Sequence, residues 1–174
     1  MRLEYFQLID RIVDLDLGNR TIRTQASVPV SSTIFEGHFP GFPLMPGVLL
    51  MESMAQTSGW LIIGLTGFTR MPFLAAFNEA KLRAFVKPGV ALEITAALIH
   101  DGSGFARTKA EIRHDGKVAC NAEITFRVAP FPNPEFRRHM EAAAAALAFP
   151  MEQIAQGTDQ ATDKGIDQGT DQGS

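Results

Sequence analysis

The chain has little of what marks several large classes of protein. Its 174 residues include one cysteine, one tryptophan and one tyrosine. A single cysteine excludes an internal disulfide framework and fits a reducing compartment, so we expect a cytoplasmic protein. The first ten residues contain acidic side chains and lack the apolar core of a secretory signal. The most apolar stretch, 42–65, is interrupted by prolines, glycines and polar residues, so we expect it to form a core element and not a membrane span.

An excess of charge is also lacking. The formal net charge is −3, and residues 150–174 hold five acidic side chains against one lysine. The rest of the chain is therefore close to neutral, which excludes a nucleic-acid binder by composition. No phosphate-binding loop, zinc cluster or dinucleotide fingerprint occurs in the sequence. We expect neither a metal nor a cofactor.

The order of predicted elements indicates an α+β fold with an antiparallel sheet. Alternating apolar and polar residues over 5–30, divided by Gly18-Asn19, predict a pair of strands. A helix is predicted from Pro46 to Leu65, and it is apolar on nearly every side, so a curved sheet wrapped around it is one way to bury it. The strands expected after this helix cover 72–86, 90–99, 104–114 and 117–128.

Two Asp-Gly pairs, Asp101-Gly102 and Asp115-Gly116, are predicted to form the turns of hairpins. Each pair follows a histidine, His100 or His114, and a paired metal site is the alternative interpretation. The turn interpretation is favoured, because Asp-Gly is a preferred hairpin dipeptide. Cys120 is expected to be an inert thiol in the core.

The sequence divides into three predicted parts. Residues 1–129 form the main domain, and 130–149 form a proline-rich exit followed by a helix over 134–148. Residues 150–174 form an acidic tail with imperfect GTDQ repeats. The tail has too little apolar surface to offset the entropy of ordering, so we predict that it is disordered.

The segment 36–56, EGHFPGFPLMPGVLLMESMAQ, contains three groups suited to chemistry. His38 lies in a loop rich in proline and glycine, and Glu52 lies fourteen residues later in the predicted helix. Pro46 and Gly47 mark the start of that helix, where backbone N–H groups are free to bind an anion. A base, an acid and an anion site in one short segment indicate acid–base chemistry on a carbonyl compound.

This segment resembles the signature of the β-hydroxyacyl-(acyl carrier protein) dehydratases of fatty acid synthesis. The resemblance covers roughly residues 5–128 and implies a hot dog fold, in which an antiparallel sheet wraps a long central helix. It also implies a homodimer with active sites at the dimer interface, or a trimer of such dimers. The residues that match the family pattern are His38, Phe39, Pro40, Gly41, Pro43, Pro46, Gly47, Val48, Leu49, Glu52, Ala55 and Gln56.

Dehydration of a 3-hydroxyacyl thioester assigns a role to each catalytic group. His38 suits the base that removes a proton from C2. Glu52 suits the acid that protonates the departing hydroxide, because apolar surroundings favour the proton-bearing form of a carboxyl group. The Gly47 N–H suits stabilisation of charge on the thioester oxygen. Gln56, one helical turn after Glu52, is expected to orient that carboxyl group. The remaining matched residues that we expect to support the site are Phe39, Pro40, Gly41 and Val48.

The resemblance further implies an acyl carrier protein as partner, with the acyl chain on its phosphopantetheine arm. Lys81, Arg83 and Lys87 could contact this acidic partner. Ala76 and Phe77 depart from the family pattern and could reshape the acyl tunnel. Two other functions stay open, an acyl thioester hydrolase of hot dog fold and a non-catalytic module that binds acyl thioesters.

Overall fold

The computed structural model describes residues 1–154, and its centre is one long helix. This helix, α2 (Gly47–Leu65), begins directly after Pro46, which has the extended backbone of a capping residue. Twelve of its nineteen residues are buried, as expected for a helix that is apolar nearly all round. α2 is also the one helix of the described part that is long and apolar enough to cross a membrane. However, 67% of its most apolar 18-residue stretch is buried inside the protein. It is therefore a core element, as the sequence predicts.

Six antiparallel strands cover α2. Their order in the sheet is β1-β2-β4-β5-β6-β3, and α2 contacts the five strands from β2 to β6. Irregularities in the pairing lie within the β1/β2, β4/β5, β5/β6 and β3/β6 ladders, and such bulges increase the bend of a sheet. The architecture confirms the α+β class. The strands are β1 (Arg11–Asp16), β2 (Thr21–Ser27), β3 (Arg70–Leu82), β4 (Ala91–Gly102), β5 (Phe105–His114) and β6 (Lys117–Pro130).

One predicted hairpin turn is correct and the other is displaced. Asp115 and Gly116, both with positive φ, connect β5 to β6. Asp101 and Gly102 are instead the last residues of β4, and the turn to β5 is made by Ser103 and Gly104 with φ of 54° and 79°. The Ser-Gly pair supplies the same two left-handed positions that a two-residue turn requires. The predicted turn at Asp101-Gly102 is therefore wrong by two residues.

The segment between β2 and α2 contains a short helix that the sequence does not reveal. This helix, α1 (Thr33–Gly37), starts at Ser32, whose hydroxyl accepts a hydrogen bond from the Ile34 N–H. The proline- and glycine-rich loop begins only after it, at His38. Capping by serine explains how five residues hold a helical turn inside a predicted loop.

Two pairs of buried hydroxyl groups join α2 to the sheet. Thr57 on α2 lies 2.8 Å from Thr24 on β2, measured between the two Oγ1 atoms. Ser58, the next residue of α2, accepts a hydrogen bond of 2.9 Å from Thr108 on β5. All four side chains are fully buried, and each pair satisfies polar atoms that would otherwise be costly to bury.

A second long helix, α3 (Pro134–Ala146), follows the sheet. Asn133 caps its first turn by accepting from the Phe136 N–H, and proline occupies its first position. The helix confirms the one predicted over 134–148, with an end two residues earlier. The tail predicted to be disordered begins at residue 150, and its residues 151–154 are helical in the structure. Residues 155–174, which include the GTDQ repeats, lie outside the described part of the chain, so the predicted disorder there stays a prediction.

Candidate active site

His38 is held at the end of α1 by its backbone and by its ring. Its N–H donates to the Ile34 carbonyl, and its own carbonyl accepts from the Leu44 N–H. The ring nitrogen Nδ1 lies 3.1 Å from the Leu44 carbonyl oxygen. Since a carbonyl oxygen can only accept, Nδ1 carries the proton, and in the neutral ring Nε2 is then left with a free lone pair. This is the form of imidazole that a general base requires.

Glu52 lies on the second turn of α2 and is half-buried. Its Oε1 accepts a hydrogen bond of 3.1 Å from Nε2 of Gln56, one turn further along the helix. No described residue makes a hydrogen bond to the second carboxyl oxygen, Oε2. Gln56 therefore orients Glu52, as predicted, and leaves one oxygen of the carboxyl group available to a substrate.

The amide of Gln56 also anchors the N-terminal segment. Its Nε2 donates to the Phe6 carbonyl at 2.8 Å, and its Oε1 accepts from the Leu8 N–H at 3.1 Å. Both partners precede Gln56 by about fifty residues in the chain, so nothing in the local sequence pattern reveals this connection. The anchoring fixes the amide, which in turn fixes the Glu52 carboxyl group.

A cavity of about 340 Å³ runs from Glu52 along α2. Glu52, Gln56 and Gln7 supply its polar groups, and the rest of the wall is almost entirely apolar. Its lining suits an apolar chain with a polar group near Glu52. The cavity is lined by Phe6, Gln7, Ile9, Glu52, Ala55, Gln56, Gly59, Trp60, Ile63, Met71, Pro72, Leu74, Phe126, Met140, Ala143 and Leu147.

His38 does not line this cavity within the single chain. Gly47 does not line it either, although both residues belong to the segment that leads into α2. The structure therefore places Glu52 and Gln56 together on the cavity wall, and it does not bring His38 or Gly47 into that wall within one chain.

Gly47 begins α2 with free backbone donors. Neither its N–H nor that of Val48 meets an acceptor among the described residues, while Leu49 and Leu50 already donate to the Pro46 carbonyl. A Cβ placed on Gly47 would collide with the side chain of Leu82 at the end of β3. The absence of a side chain thus allows α2 and β3 to approach closely, and the N–H remains available to an anion.

The residues predicted to support the site are exposed. Phe39 stacks on the His38 ring with 4.1 Å between ring centres, and both Phe39 and Val48 are largely exposed. Pro40 is exposed as well, and Gly41 has φ of 75°, which a side chain would disfavour. Their support of the site stays a prediction.

The predicted tunnel and carrier residues lie on β3 and the loop after it. Ala76 and Phe77 are on β3 but do not line the cavity within one chain, where Met71, Pro72 and Leu74 of the same strand do. Lys81, Arg83 and Lys87 are exposed, and Arg83 donates to Asn121 at 3.0 Å. These residues remain candidates for contact with a partner.

The two histidine-containing hairpins and the cysteine lie away from the cavity. His114 contacts Asp115 and the Ala91 carbonyl, as a residue beside a turn does. Burial raises the pKa of the Cys120 thiol to about 11, against a smaller opposing effect of the Arg83 charge. Such a thiol is a poor nucleophile near neutral pH, in agreement with the inert core residue predicted from the sequence.

Solved structures share this fold. A conserved protein of Pseudomonas aeruginosa is 21% identical, with a TM-score of 0.57 over 72% of this chain and 91% of its own. A thioesterase of Staphylococcus aureus is 17% identical, with a TM-score of 0.57 over 74% of this chain and 98% of its own. The likeness confirms the predicted hot dog fold.

Relatives found by sequence have a higher identity to this chain than these solved structures have. A 3-hydroxyacyl-(acyl carrier protein) dehydratase FabZ of Protochlamydia amoebophila is 38% identical over 121 residues, which are 70% of this chain and 79% of the relative. The FabZ of Zymomonas mobilis is 37% identical over 125 residues, which are 70% of this chain and 78% of the relative. The family described as FabA-like domain matches residues 2–123. These matches agree with the fold, and the chain belongs to the FabA-like family.

Proposed function

We propose that this chain is a hydro-lyase that converts (3R)-hydroxyacyl thioesters of acyl carrier protein to trans-2-enoyl thioesters in fatty acid or lipid biosynthesis. The observation that carries the proposal is the placement of Glu52, a carboxyl group oriented by Gln56 at the polar end of an apolar cavity. The relatives named 3-hydroxyacyl-(acyl carrier protein) dehydratase FabZ support the same reaction.

In the proposed reaction two protons move and one C–O bond breaks. The lone pair on Nε2 of His38 removes a proton from C2, and the electrons of that C–H bond form the C2–C3 double bond. The hydroxyl group leaves C3 with a proton from Glu52, so that it departs as water. Return of the proton from His38 to Glu52 through solvent restores both groups, and hydration is the same path reversed.

The Gly47 N–H stabilises the charge that grows on the thioester oxygen as the C2 proton leaves. Support comes from the free backbone donors at the start of α2 and from the positive end of the helix dipole. Phe39, Pro40, Gly41 and Val48 are exposed in one copy of the chain, and in the proposed dimer they would help to exclude water from the site. Each catalytic contribution of this kind is typically worth ~10²–10⁴-fold in rate.

The active site is shared between two copies of the chain. His38 does not line the cavity beside Glu52 in one copy, and in this proposal a complete site takes His38 from one subunit and Glu52 from the other. β3 supports this arrangement, because it is an edge of the sheet and exposes Phe73, Leu74 and Leu82. An exposed apolar edge strand is a template for pairing with another strand. A homodimer is the smallest such assembly, and a trimer of dimers would preserve the same sites.

Acyl carrier protein is the proposed partner, and the phosphopantetheine arm delivers the acyl chain. The exposed cations are Lys81 at the end of β3 and Arg83 and Lys87 in the loop after it. The contact between Leu82 and Gly47 brings this end of β3 close to the start of α2. An acidic carrier would be attracted to this side of the molecule. The reaction is expected in the cytoplasm.

The function is tested with the purified full chain and a trans-2-enoyl thioester, whose hydration is followed by loss of absorbance. We expect His38→Ala and Glu52→Gln each to lower kcat about 10²–10⁴-fold. A wild-type chain that releases free thiol without hydrating the double bond would identify a thioesterase instead. A chain that binds the thioester and performs neither reaction would identify a binding module.

Mixing the two inactive variants tests whether the sites are shared. Exchange of subunits between His38→Ala and Glu52→Gln dimers would produce mixed dimers with one intact site, and random exchange would restore about a quarter of the wild-type rate. No recovery after complete subunit exchange, verified by mass spectrometry of differently tagged chains, would place both residues in one subunit. Light scattering reports the number of subunits independently.

A further inference from the structure

The helix α3 lies outside the range that matches the FabA-like family, yet it is packed firmly against the domain. The match ends at residue 123, and α3 begins at Pro134. Phe149, just after α3, is buried with its ring 5.7 Å from Trp60 and 5.8 Å from Phe68, measured between ring centres. The backbone joins as well, because the Ile12 N–H donates to the Leu147 carbonyl at 2.8 Å.

One face of this region reaches the cavity. Met140, Ala143 and Leu147 follow each other at spacings of three and four residues, which places them on one side of a helix. All three line the cavity that starts at Glu52. Ala142, by contrast, is exposed and does not line it.

The cavity has a polar end and an apolar end. Along α2 its wall extends from Glu52 to Ile63, which at 1.5 Å per residue is a length of roughly 16 Å. Acid–base chemistry would take place beside Glu52, so an acyl chain enters with its reacting carbons there. Trp60 and Ile63, further along α2, contribute apolar wall away from the acid.

We propose that α3 forms part of the wall of the acyl pocket and limits the length of the acyl chain that this protein accepts, through Met140, Ala143 and Leu147. The proposal rests on the function proposed above and adds the determinant of substrate range. An extended chain that outgrows the cavity would have to displace these side chains, and displacing α3 would expose the buried ring of Phe149 to solvent.

The test compares two neighbouring alanines on α3. The variant Ala143→Phe places a ring in the cavity, and Ala142→Phe places the same ring on the exposed side of the helix. For each full-length protein, kcat/KM is measured for hydration of crotonyl, trans-2-octenoyl, trans-2-dodecenoyl and trans-2-hexadecenoyl thioesters. Each methylene that loses its apolar contact costs roughly fourfold in affinity. We therefore expect the ratio of long-chain to crotonyl kcat/KM to fall roughly tenfold or more in Ala143→Phe relative to Ala142→Phe.

A second variant acts in the opposite direction. Met140→Ala enlarges the cavity, so the chain length with the highest kcat/KM is expected to increase. If thermal unfolding shows that Ala143→Phe does not fold, Met140→Ala decides the question alone. An unchanged chain-length profile in every folded variant of Ala143 and Met140 would overturn the proposal.

Failure of the proposed function would look different. In that case the wild-type chain and the Ala142→Phe control would hydrate none of the four thioesters. If they hydrate the series and the cavity variants follow the same profile, the dehydratase assignment stands and the role of α3 is refuted.

Discussion

Gln56 donates a hydrogen bond to Glu52, with Nε2 3.1 Å from Oε1, while the same amide bonds to the backbone of Phe6 and Leu8. The carboxyl group of the proposed acid is thus positioned by a side chain that is itself fixed by the N-terminal segment. Gln56 also lines the cavity, but its amide is engaged by Glu52 and by the N-terminal segment, so we assign it a positioning role in this site.

Replacing Gln56 with alanine should lower kcat about 10- to 100-fold while KM changes little, because a carboxyl group displaced by about 1 Å is a far poorer acid. Loss of the amide also leaves the Leu8 N–H unpaired, which should cost ~1–3 kcal/mol in the free energy of unfolding. Steady-state kinetics and urea unfolding measure the two effects. Gln25→Ala, on the exposed face of β2, is the control, and a loss of stability at unchanged kcat would reject the positioning role.

The ring of His38 should be the tautomer with its proton on Nδ1 when it is neutral, since the Leu44 carbonyl accepts from that atom. Long-range ¹H–¹⁵N spectra of protein labelled at histidine identify which ring nitrogen carries the proton. His38→Ala assigns the signal. A neutral ring protonated on Nε2 would leave no lone pair facing the substrate and would contradict the proposed base.

Gly47→Ala should cost less than about 1 kcal/mol in the free energy of unfolding, because the new methyl group meets only the end of the Leu82 side chain, which is 55% exposed and can move aside. Any loss of activity should come from the displaced Leu82 side chain beside the start of α2, and since alanine keeps its N–H, the double variant Gly47→Ala with Leu82→Ala should recover that activity. Thermal unfolding and hydration rates of the two single variants and the double variant form a complete cycle. Activity that stays lost in a fully stable double variant would require another reason for glycine at this position.

Cys120 should make the free energy of unfolding depend on pH in the alkaline range. Burial raises the pKa of its thiol in the folded protein from 9.0 to about 11, so the unfolded chain releases this proton at lower pH than the folded one. Its contribution to stability is therefore complete below pH 9.0 and is lost as the pH rises towards 11. Urea unfolding across this range should show a steeper decline for the wild type than for Cys120→Ala, and equal slopes would mean that the thiol is not buried.

The sequence predicts the fold of this chain well because its strongest signals are local. The apolar pattern locates α2 within one residue, and Asp115-Gly116 identifies the last hairpin. After β4, by contrast, two adjacent pairs, Asp101-Gly102 and Ser103-Gly104, could each form the turn, so the local sequence does not decide between them. In the structure β4 continues through Gly102, and Ser103 and Gly104 form the turn.

The contacts of the candidate site are likewise of two kinds, those that local spacing predicts and those between distant positions of the chain. The one-turn spacing of Glu52 and Gln56 on a helix is visible in the sequence, and their hydrogen bond follows from it. The contacts of Gln56 with Phe6 and Leu8 join positions 48 or more residues apart, and no spacing rule predicts them. The contribution of α3 to the cavity is hidden for the same reason, since Met140 and the α2 residues that line the same cavity are far apart in the chain.

The hydroxyl pairs Thr24–Thr57 and Thr108–Ser58 give the central helix a fixed angle about its own axis. Apolar contacts are non-directional, so a helix that is apolar on nearly all sides could rotate or slide with little change in buried surface. Hydrogen bonds to two different strands permit one rotation and one height. Because Glu52 and Gln56 lie on that same helix, two buried pairs of hydroxyl groups, neither of which lines the cavity, determine the direction in which the acid points.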